Sequence, residues 1–286
     1  MQVDWKKGLK TSNDRTIENV EWPQNSQIAV SMTLELDLNV ARNYMGEAQT
    51  ELSQGEFGAR VGIWRVLDLL RRHQIRTTFF IPVKSAELYP EIIEAIVEDG
   101  HELACHTIHH DDVSEMERAA EKEMLQRSRE ALGRFSKQAP VGWRKAVGEI
   151  SPNTLELLNE QDFLYIANGM ADDIPYWWRL EDSGSRILAI PYTWMFDDSR
   201  YFVFFPGYET RIQNPSKLLE IWTEEFDATY ELGRYFTFTC HPFTIGRMHR
   251  LAMLDKLLTH IRSRPRVWIA TCQEVAEYWA GRYPAN

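Results

Sequence analysis

Thr77-Thr78-Phe79-Phe80-Ile81-Pro82, then a helix opened by Pro90, then Gly100-His101-Glu102-Leu103-Ala104-Cys105-His106-Thr107-Ile108-His109-His110: this stretch sets the reading of the whole chain. Its first residues are apolar, β-branched and aromatic, the composition of a buried strand. Proline fits the first position of a helix because its missing N–H is one that a helix start leaves unpaired, and glycine closes the helix. Four of the chain's 8 histidines then follow within ten positions. His106 and His110 are spaced so that a helical turn or tight loop aims both imidazoles at one point. Imidazole is the commonest protein ligand for zinc-like metals. Such a site needs a third, anionic ligand, and Glu35-Leu36-Asp37 supplies a candidate at the end of the first hydrophobic strand.

The same alternation extends in both directions. Ile28 to Leu34 reads as a buried strand, and Phe57 to Arg72 carries apolar residues at helical spacing (Val61, Ile63, Trp64, Val66, Leu67, Leu69, Leu70). Ser114 to Phe135 is expected as a long charged helix and Val141-Gly142-Trp143 as a short strand. Ser151 is expected to cap the next helix, with Pro152 at its first position. Leu164 to Ile166 and Ile187 to Ile190 read as strands, and Tyr235 to Cys240 as a strand that delivers His241. A helix over 250–261, a strand over 267–270 and a helix from Gln273 complete the chain. Repeated strand–helix alternation implies an α/β fold, a parallel sheet with helices outside it, and seven or eight such units match a closed barrel. Residues 1–26 are polar and irregular, an expected N-terminal arm, and residues 27–286 form a single expected domain without internal repeat or linker.

Composition sets outer limits. A chain of 286 residues with 44% hydrophobic and 26% charged content can bury a sizeable core. A formal net charge of −10 without a basic block argues against nucleic acid as partner. No stretch has the roughly 18 apolar residues of a membrane span, and Met1 to Lys7 lacks the apolar run of a signal peptide. Three cysteines, Cys105, Cys240 and Cys272, show no Cys-x-x-Cys spacing and leave an odd number, which suits a reduced, cytoplasmic setting. A small intracellular substrate is therefore expected in place of an intact cell wall.

In a parallel barrel, catalytic groups gather at the C-terminal ends of strands. Asp37, His106, Arg144 and His241 all fall just past predicted strand ends. Asp37, His106 and His110 would provide one anion and two neutral donors to a divalent metal, expected as Zn2+, and leave a position open for water. Iron, cobalt, nickel and manganese accept similar sets. Glu35, two residues from Asp37 and so on the same face, is the candidate base; His241 is the candidate acid; Arg144 would pair with Glu35 and keep it ionised. His101 and His109 are read as structural, and Cys105 and Cys240 as core residues pointing away from their histidine neighbours. Asp172-Asp173 and Asp197-Asp198 are read as turn residues, not ligands. The irregular segment from Ala171 to Tyr208 holds Trp177, Trp178 and Trp194 as candidate pocket walls.

These residues resemble the polysaccharide deacetylase (NodB-homology) family, and within it the intracellular branch of allantoinase-like and cyclic-imide-hydrolysing proteins. The resemblance spans about Ile28 to Trp279. It rests on Glu35-Leu36-Asp37, Phe57-Gly58-Ala59-Arg60, Thr77-Thr78-Phe79-Phe80, His106-Thr107-Ile108-His109-His110, Gly142-Trp143-Arg144, Asp172-Asp173-Ile174-Pro175-Tyr176-Trp177 and Cys240-His241-Pro242. It implies a distorted (β/α) barrel of about seven parallel strands, and a divalent metal on Asp37, His106 and His110, with Glu35 as base and His241 as acid. The implied chemistry is hydrolysis of non-peptide C–N bonds, either in a small amide or cyclic imide or by N-deacetylation of amino sugars, or else a metal-binding homologue without activity. A homo-oligomer is expected from the same resemblance. The chain departs from the family pattern at Glu35, where Asp is usual, and at Lys145-Ala146, where Ala-Pro or Ser-Pro follows the arginine. Many relatives have His at the position of Cys105.

Overall fold

The computed structural model describes residues 10–11, 17–44, 46, 49–136, 138–179, 186–203 and 212–285. The strands in chain order are β1 (Lys10–Thr11), β2 (Ile28–Glu35), β3 (Thr78–Ile81), β4 (Glu102–Cys105), β5 (Gly142–Trp143), β6 (Tyr165–Gly169), β7 (Tyr176–Arg179), β8 (Arg186–Pro191), β9 (Tyr235–Cys240) and β10 (Val267–Ile269). They form one sheet in which β8, β6, β5, β4, β3, β2 and β9 are parallel neighbours in that order, seven staves in all. β10 pairs in parallel with the first residues of β2, below β3, and β7 adds an antiparallel edge on β8. The sheet curls towards a barrel but does not close. Among the described residues β8 and β9 share no ladder, and the segment between them makes one isolated bridge, Asp197 to Thr239. A 3₁₀ turn (Trp194–Phe196) and a short helix (Ser199–Phe202) follow β8, and neither offers the extended backbone that a ladder needs.

Strict alternation along the strands separates core from interior. On β2, Ile28, Val30, Met32 and Leu34 pack under the helices, which leaves Ala29, Ser31, Thr33 and Glu35 on the opposite face, inside the barrel. On β4 and β9 the outward residues are Leu103, Cys105, Phe236, Phe238 and Cys240, so His106 and His241 turn inward. Cys105 and Cys240 thus lie in the packed layer under the helices, whereas Cys272 packs with the barrel interior. All three are buried and free of disulfides, and burial raises the thiol pKa of each, that of Cys272 to about 12. Trp22 seals the base of the barrel among Tyr235, Trp268, Tyr278 and Trp279, and donates to the Gly233 carbonyl at 3.0 Å. Most of the expected arm, residues 1–9 and 12–16, lies outside the described residues.

Several element boundaries differ from the sequence reading. The stretch expected as one helix over 57–72 is a π-turn at Gly58–Gly62 followed by a helix, Ile63–His73, and the turn joins it to a preceding helix, Gln49–Phe57. This turn lets the backbone press against the loop after β9: a Cβ on Gly62 would sit 2.1 Å from the Pro242 carbonyl oxygen. The charged helix begins at Arg118, not Ser114. Ser151 does not cap the next helix, which runs Thr154–Glu160 from Asn153; its hydroxyl and that of Thr154 both donate to buried Glu121, at 2.5 Å each. Gly100 does take the left-handed conformation after the Pro90–Glu98 helix (φ 75°). Among the described residues no helix is long and apolar enough to cross a membrane.

Candidate metal and catalytic site

The C-terminal ends of β2, β4, β5 and β9 bring Glu35, Asp37, His106, His110, Arg144 and His241 together, all of them buried. All six residues singled out in the sequence meet at one place. His106 follows β4 directly, whereas His110 returns through a loop. That loop is tied by the Asp111 carboxylate, which accepts the backbone N–H groups of Ile108 (3.1 Å) and His109 (2.8 Å), while Thr107 Oγ1 accepts from Asp111 N (2.9 Å). Thr107 and His110 both have positive φ (59° and 69°), a conformation that costs a β-branched residue energy and that the loop's hydrogen bonds must hold.

Asp37 stands between the two imidazoles. Its Oδ1 lies 3.5 Å from His106 Nε2 and its Oδ2 3.5 Å from His110 Nε2. His106 Nδ1–H donates to the Arg144 carbonyl oxygen at 3.0 Å, which leaves the lone pair on Nε2, on the side of Asp37. Asp37 Oδ1 and His106 Nε2 are buried and have no hydrogen-bond partner among the described residues. Donor atoms about 3.3 Å apart are what a tetrahedral metal with 2.0–2.1 Å bonds requires. Two other groupings could offer three ligand atoms, Glu35-Asp37-His241 and Asp197-Asp198-His241. In both, however, His241 is already hydrogen-bonded to a carboxylate, Glu35 at 3.1 Å and Asp198 at 2.8 Å. Asp37, His106 and His110 are therefore the set that fits a metal.

Arg144 is built into the wall beneath Glu35. Its Nη1 reaches Glu35 Oε1, Thr33 Oγ1 and Thr239 Oγ1, each at 3.1 Å, and its Nε donates to the Ala167 carbonyl at 3.0 Å. The rings of Phe80 and Tyr192 cover the guanidinium at 4.1 and 4.7 Å. Burial by itself would raise the Glu35 carboxyl. The His241 hydrogen bond and the charges of His106, His241 and Arg144 outweigh it and hold Glu35 well below the ordinary carboxylate range. Asp37 is likewise lowered against burial by His110 and His106. Burial lowers His106 against the pull of Glu35 and Asp37, whereas His110 is raised, because Asp37 overcomes the desolvation cost. His241 is also raised against burial, by Asp197, Asp198 and Glu35.

Asp197 and Asp198 do stand at a turn, where Asp197 Oδ1 accepts the Ser199 N–H at 2.9 Å, but they are also buried parts of the site, a role the sequence reading did not give them. Asp198 Oδ1 meets His241 Nδ1, and Asp197 Oδ1 is 3.7 Å from the same nitrogen while its Oδ2 accepts from Tyr192 OH at 2.8 Å. Burial raises Asp198 to about 6 in spite of His241. Of the three candidate pocket tryptophans, Trp194 lines the site, whereas Trp177 donates to the Tyr283 carbonyl at 2.8 Å and Trp178 packs against the core. His109 is exposed, and His101 is buried, where its Nδ1 accepts the Thr77 N–H at 3.2 Å. The centre opens on a cavity of about 460 Å³ walled by Tyr192, Trp194 and Phe243 and rimmed by Arg42, Lys145 and Arg200.

Comparison with known proteins bears on the family and the fold. Residues 57–166 match the family described as polysaccharide deacetylase. A peptidoglycan deacetylase of Helicobacter pylori is 28% identical over 280 residues, 87% of this chain and 96% of its own length. The crystal structure of a putative polysaccharide deacetylase from Mycobacterium smegmatis superposes with a TM-score of 0.86 at 29% identity, covering 94% of this chain and 95% of that one. That of PuuE allantoinase superposes with a TM-score of 0.83 at 28% identity, covering 93% and 94%.

Proposed function

Because the chain carries a polysaccharide deacetylase (NodB-homology) domain, we propose that it is a metal-dependent hydrolase of non-peptide C–N bonds, acting on a small amide or cyclic imide. The observation that carries this reading is the pairing of two hydrogen-bonded dyads, Arg144–Glu35 and Asp198–His241, on either side of the Asp37-His106-His110 set. A divalent metal held by those three residues, zinc in this reading, would polarise the substrate carbonyl and acidify a water.

The chain's own groups then divide the proton transfers. Glu35, kept ionised by Arg144 on Oε1, takes the proton of the attacking water on Oε2. His241, its Nδ1 proton held by Asp198, carries on Nε2 the proton that the departing nitrogen needs. Glu35 Oε2 and His241 Nε2 are 3.1 Å apart, so base and acid serve the same small volume. The buried surroundings exclude bulk water and strengthen each of these charge interactions.

A cavity of about 460 Å³ lined in part by aromatic side chains favours a small ring or amide over a polymer. The likeness to a peptidoglycan deacetylase supports a second reading, N-deacetylation of an amino sugar. Our reading also takes residues 27–286 as a single domain behind an arm of residues 1–26, and the protein as a cytoplasmic homo-oligomer without nucleic-acid or membrane partner. The test is hydrolysis by zinc-reconstituted protein of cyclic imides, hydantoin-type rings and N-acetylglucosamine oligomers. Ring opening without acetate release is the expected result. Acetate release would replace it with the second reading, and metal binding without turnover of any of them would mean a homologue that has lost catalysis.

A further inference from the structure

β6 is irregular at its C-terminal end. Ile166 pairs with Ala189 and Gly169 with Pro191, so three steps along β6 are set against two along β8. Tyr165 and Ala167 face the barrel interior and Ile166 faces the helices, so strict alternation would send Asn168 outward as well. The extra residue of a bulge re-aims a side chain, and here Asn168 lines the cavity beside Arg144 and Tyr192 while only 6% exposed. Its Oδ1 accepts the backbone N–H of Lys145 at 2.8 Å. A backbone N–H can only donate, so this contact settles which end of the amide is oxygen. The other end, Nδ2, has no hydrogen-bond partner among the described residues. The amide NH2 therefore faces the cavity with both donor protons unclaimed by the protein, available to an oxygen of whatever occupies it.

We propose that Asn168 is a specificity residue: its Nδ2 donates a hydrogen bond to a ligand oxygen other than that of the scissile amide, so the site selects ligands with a second carbonyl over those with one. The inference rests on the hydrolase reading above for its meaning in catalysis. A pure donor matches a carbonyl best, because a carbonyl oxygen is a pure acceptor, whereas a hydroxyl brings a proton of its own. Tyr192, Trp194 and Phe243 add apolar lining to the same cavity, which suits the carbon skeleton of a small ring that carries such a carbonyl. The same side chain pins Lys145, so a ligand on Asn168 also senses the position of the loop that follows Arg144.

The test compares two five-membered rings, succinimide and 2-pyrrolidone, which differ by one carbonyl. Their dissociation constants are measured by calorimetry at neutral pH for the wild type, Asn168→Asp and Asn168→Ala. The expected wild-type preference for succinimide is roughly tenfold, the size of one neutral hydrogen bond that would otherwise stay unmade. In both variants the preference falls to about one. Asn168→Asp keeps an acceptor for the Lys145 N–H while removing the donor, and the ratio of the two ligands cancels any general loosening of the cavity. A wild type that binds neither ring or shows no preference, or variants that retain it, would overturn the proposal. A wild type that prefers succinimide but never opens it would leave Asn168 in place and count against the imide-hydrolase reading alone.

Discussion

Asp198 Oδ1 lies 2.8 Å from His241 Nδ1 and also accepts the backbone N–H of His241 at 3.0 Å, so one buried carboxylate oxygen holds both the ring and the chain of the proposed acid. The Asp197–Thr239 bridge brings this carboxylate to the end of β9 across the open seam of the barrel. Replacing Asp198 by Asn leaves the shape but removes one of the charges that, with Asp197 and Glu35, raise the imidazole's pKa, and it weakens the hydrogen bond that orients the ring. We expect kcat to fall by roughly 10²–10⁴-fold with metal content unchanged. Turnover equal to the wild type would remove His241 from the mechanism.

Glu35→Gln and Asp37→Asn separate the base from the metal ligand. Glu35→Gln should lose turnover by at least about 10²-fold yet retain metal, because the ligand set Asp37, His106 and His110 is untouched. Asp37→Asn should lose both, and zinc should no longer protect it against heat. In the wild type, zinc at 100 times its Kd stabilises by about 2.7 kcal/mol if it binds only the folded state. Metal analysis together with thermal melts, with and without zinc, reads both variants.

Glu102 gives a pH dependence at the other end of the barrel. Its carboxylate accepts from Thr78 (2.6 Å), Tyr165 (2.6 Å) and the Gln273 N–H (2.9 Å), yet burial raises its pKa from 4.5 to about 7 in spite of these donors. Between those values the folded protein binds a proton that the unfolded chain does not. The contribution of Glu102 is therefore complete below about pH 4.5 and is lost as pH rises through 7, a few kcal/mol in all. Glu102→Gln stays neutral throughout, so its stability relative to the wild type should rise across this window. Urea midpoints measured from acid to neutral pH test this, and parallel curves for the two proteins would refute it.

Gly62→Ala tests the support behind His241. A Cβ there would lie 2.1 Å from the Pro242 carbonyl oxygen and 2.9 Å from its carbon, so backbone must move. The expected cost is about 1–3 kcal/mol, accompanied by a roughly tenfold or larger fall in kcat as His241 shifts, with metal retained. Denaturant midpoints and steady-state rates measure the two effects separately. A substitution that lowers stability and leaves kcat untouched would mean that His241 is positioned by Asp198 alone.

Much of the site could be read in the sequence because the relevant rules are local. Alternation along β2 puts Glu35 on the inner face, Asp37 follows two residues later, and His110 lies four positions after His106. The part that Asp197 and Asp198 play beside His241 was missed because an Asp-Asp pair in an irregular segment has the signature of a turn, which it also forms. Their burial depends on the chain returning to the end of β9, 43 residues beyond Asp198. The π-turn was missed for a related reason: Gly58 and Gly62 make sense only against Pro242 and Phe243.

The amino-acid order alone determined the strand–helix alternation, the parallel sheet and the convergence of strand ends, since hydrophobic periodicity and the side-chain spacing along strands and helices act over a few residues. The tertiary structure alone decided that the barrel stays open between β8 and β9, that Asp198 backs His241, and that Asn168 turns into the cavity. Each of these is a relation between segments distant in the chain. A bulge is a mismatch of register between two strands, and a buried ion pair is a meeting of two elements; neither is a property of any single stretch of residues.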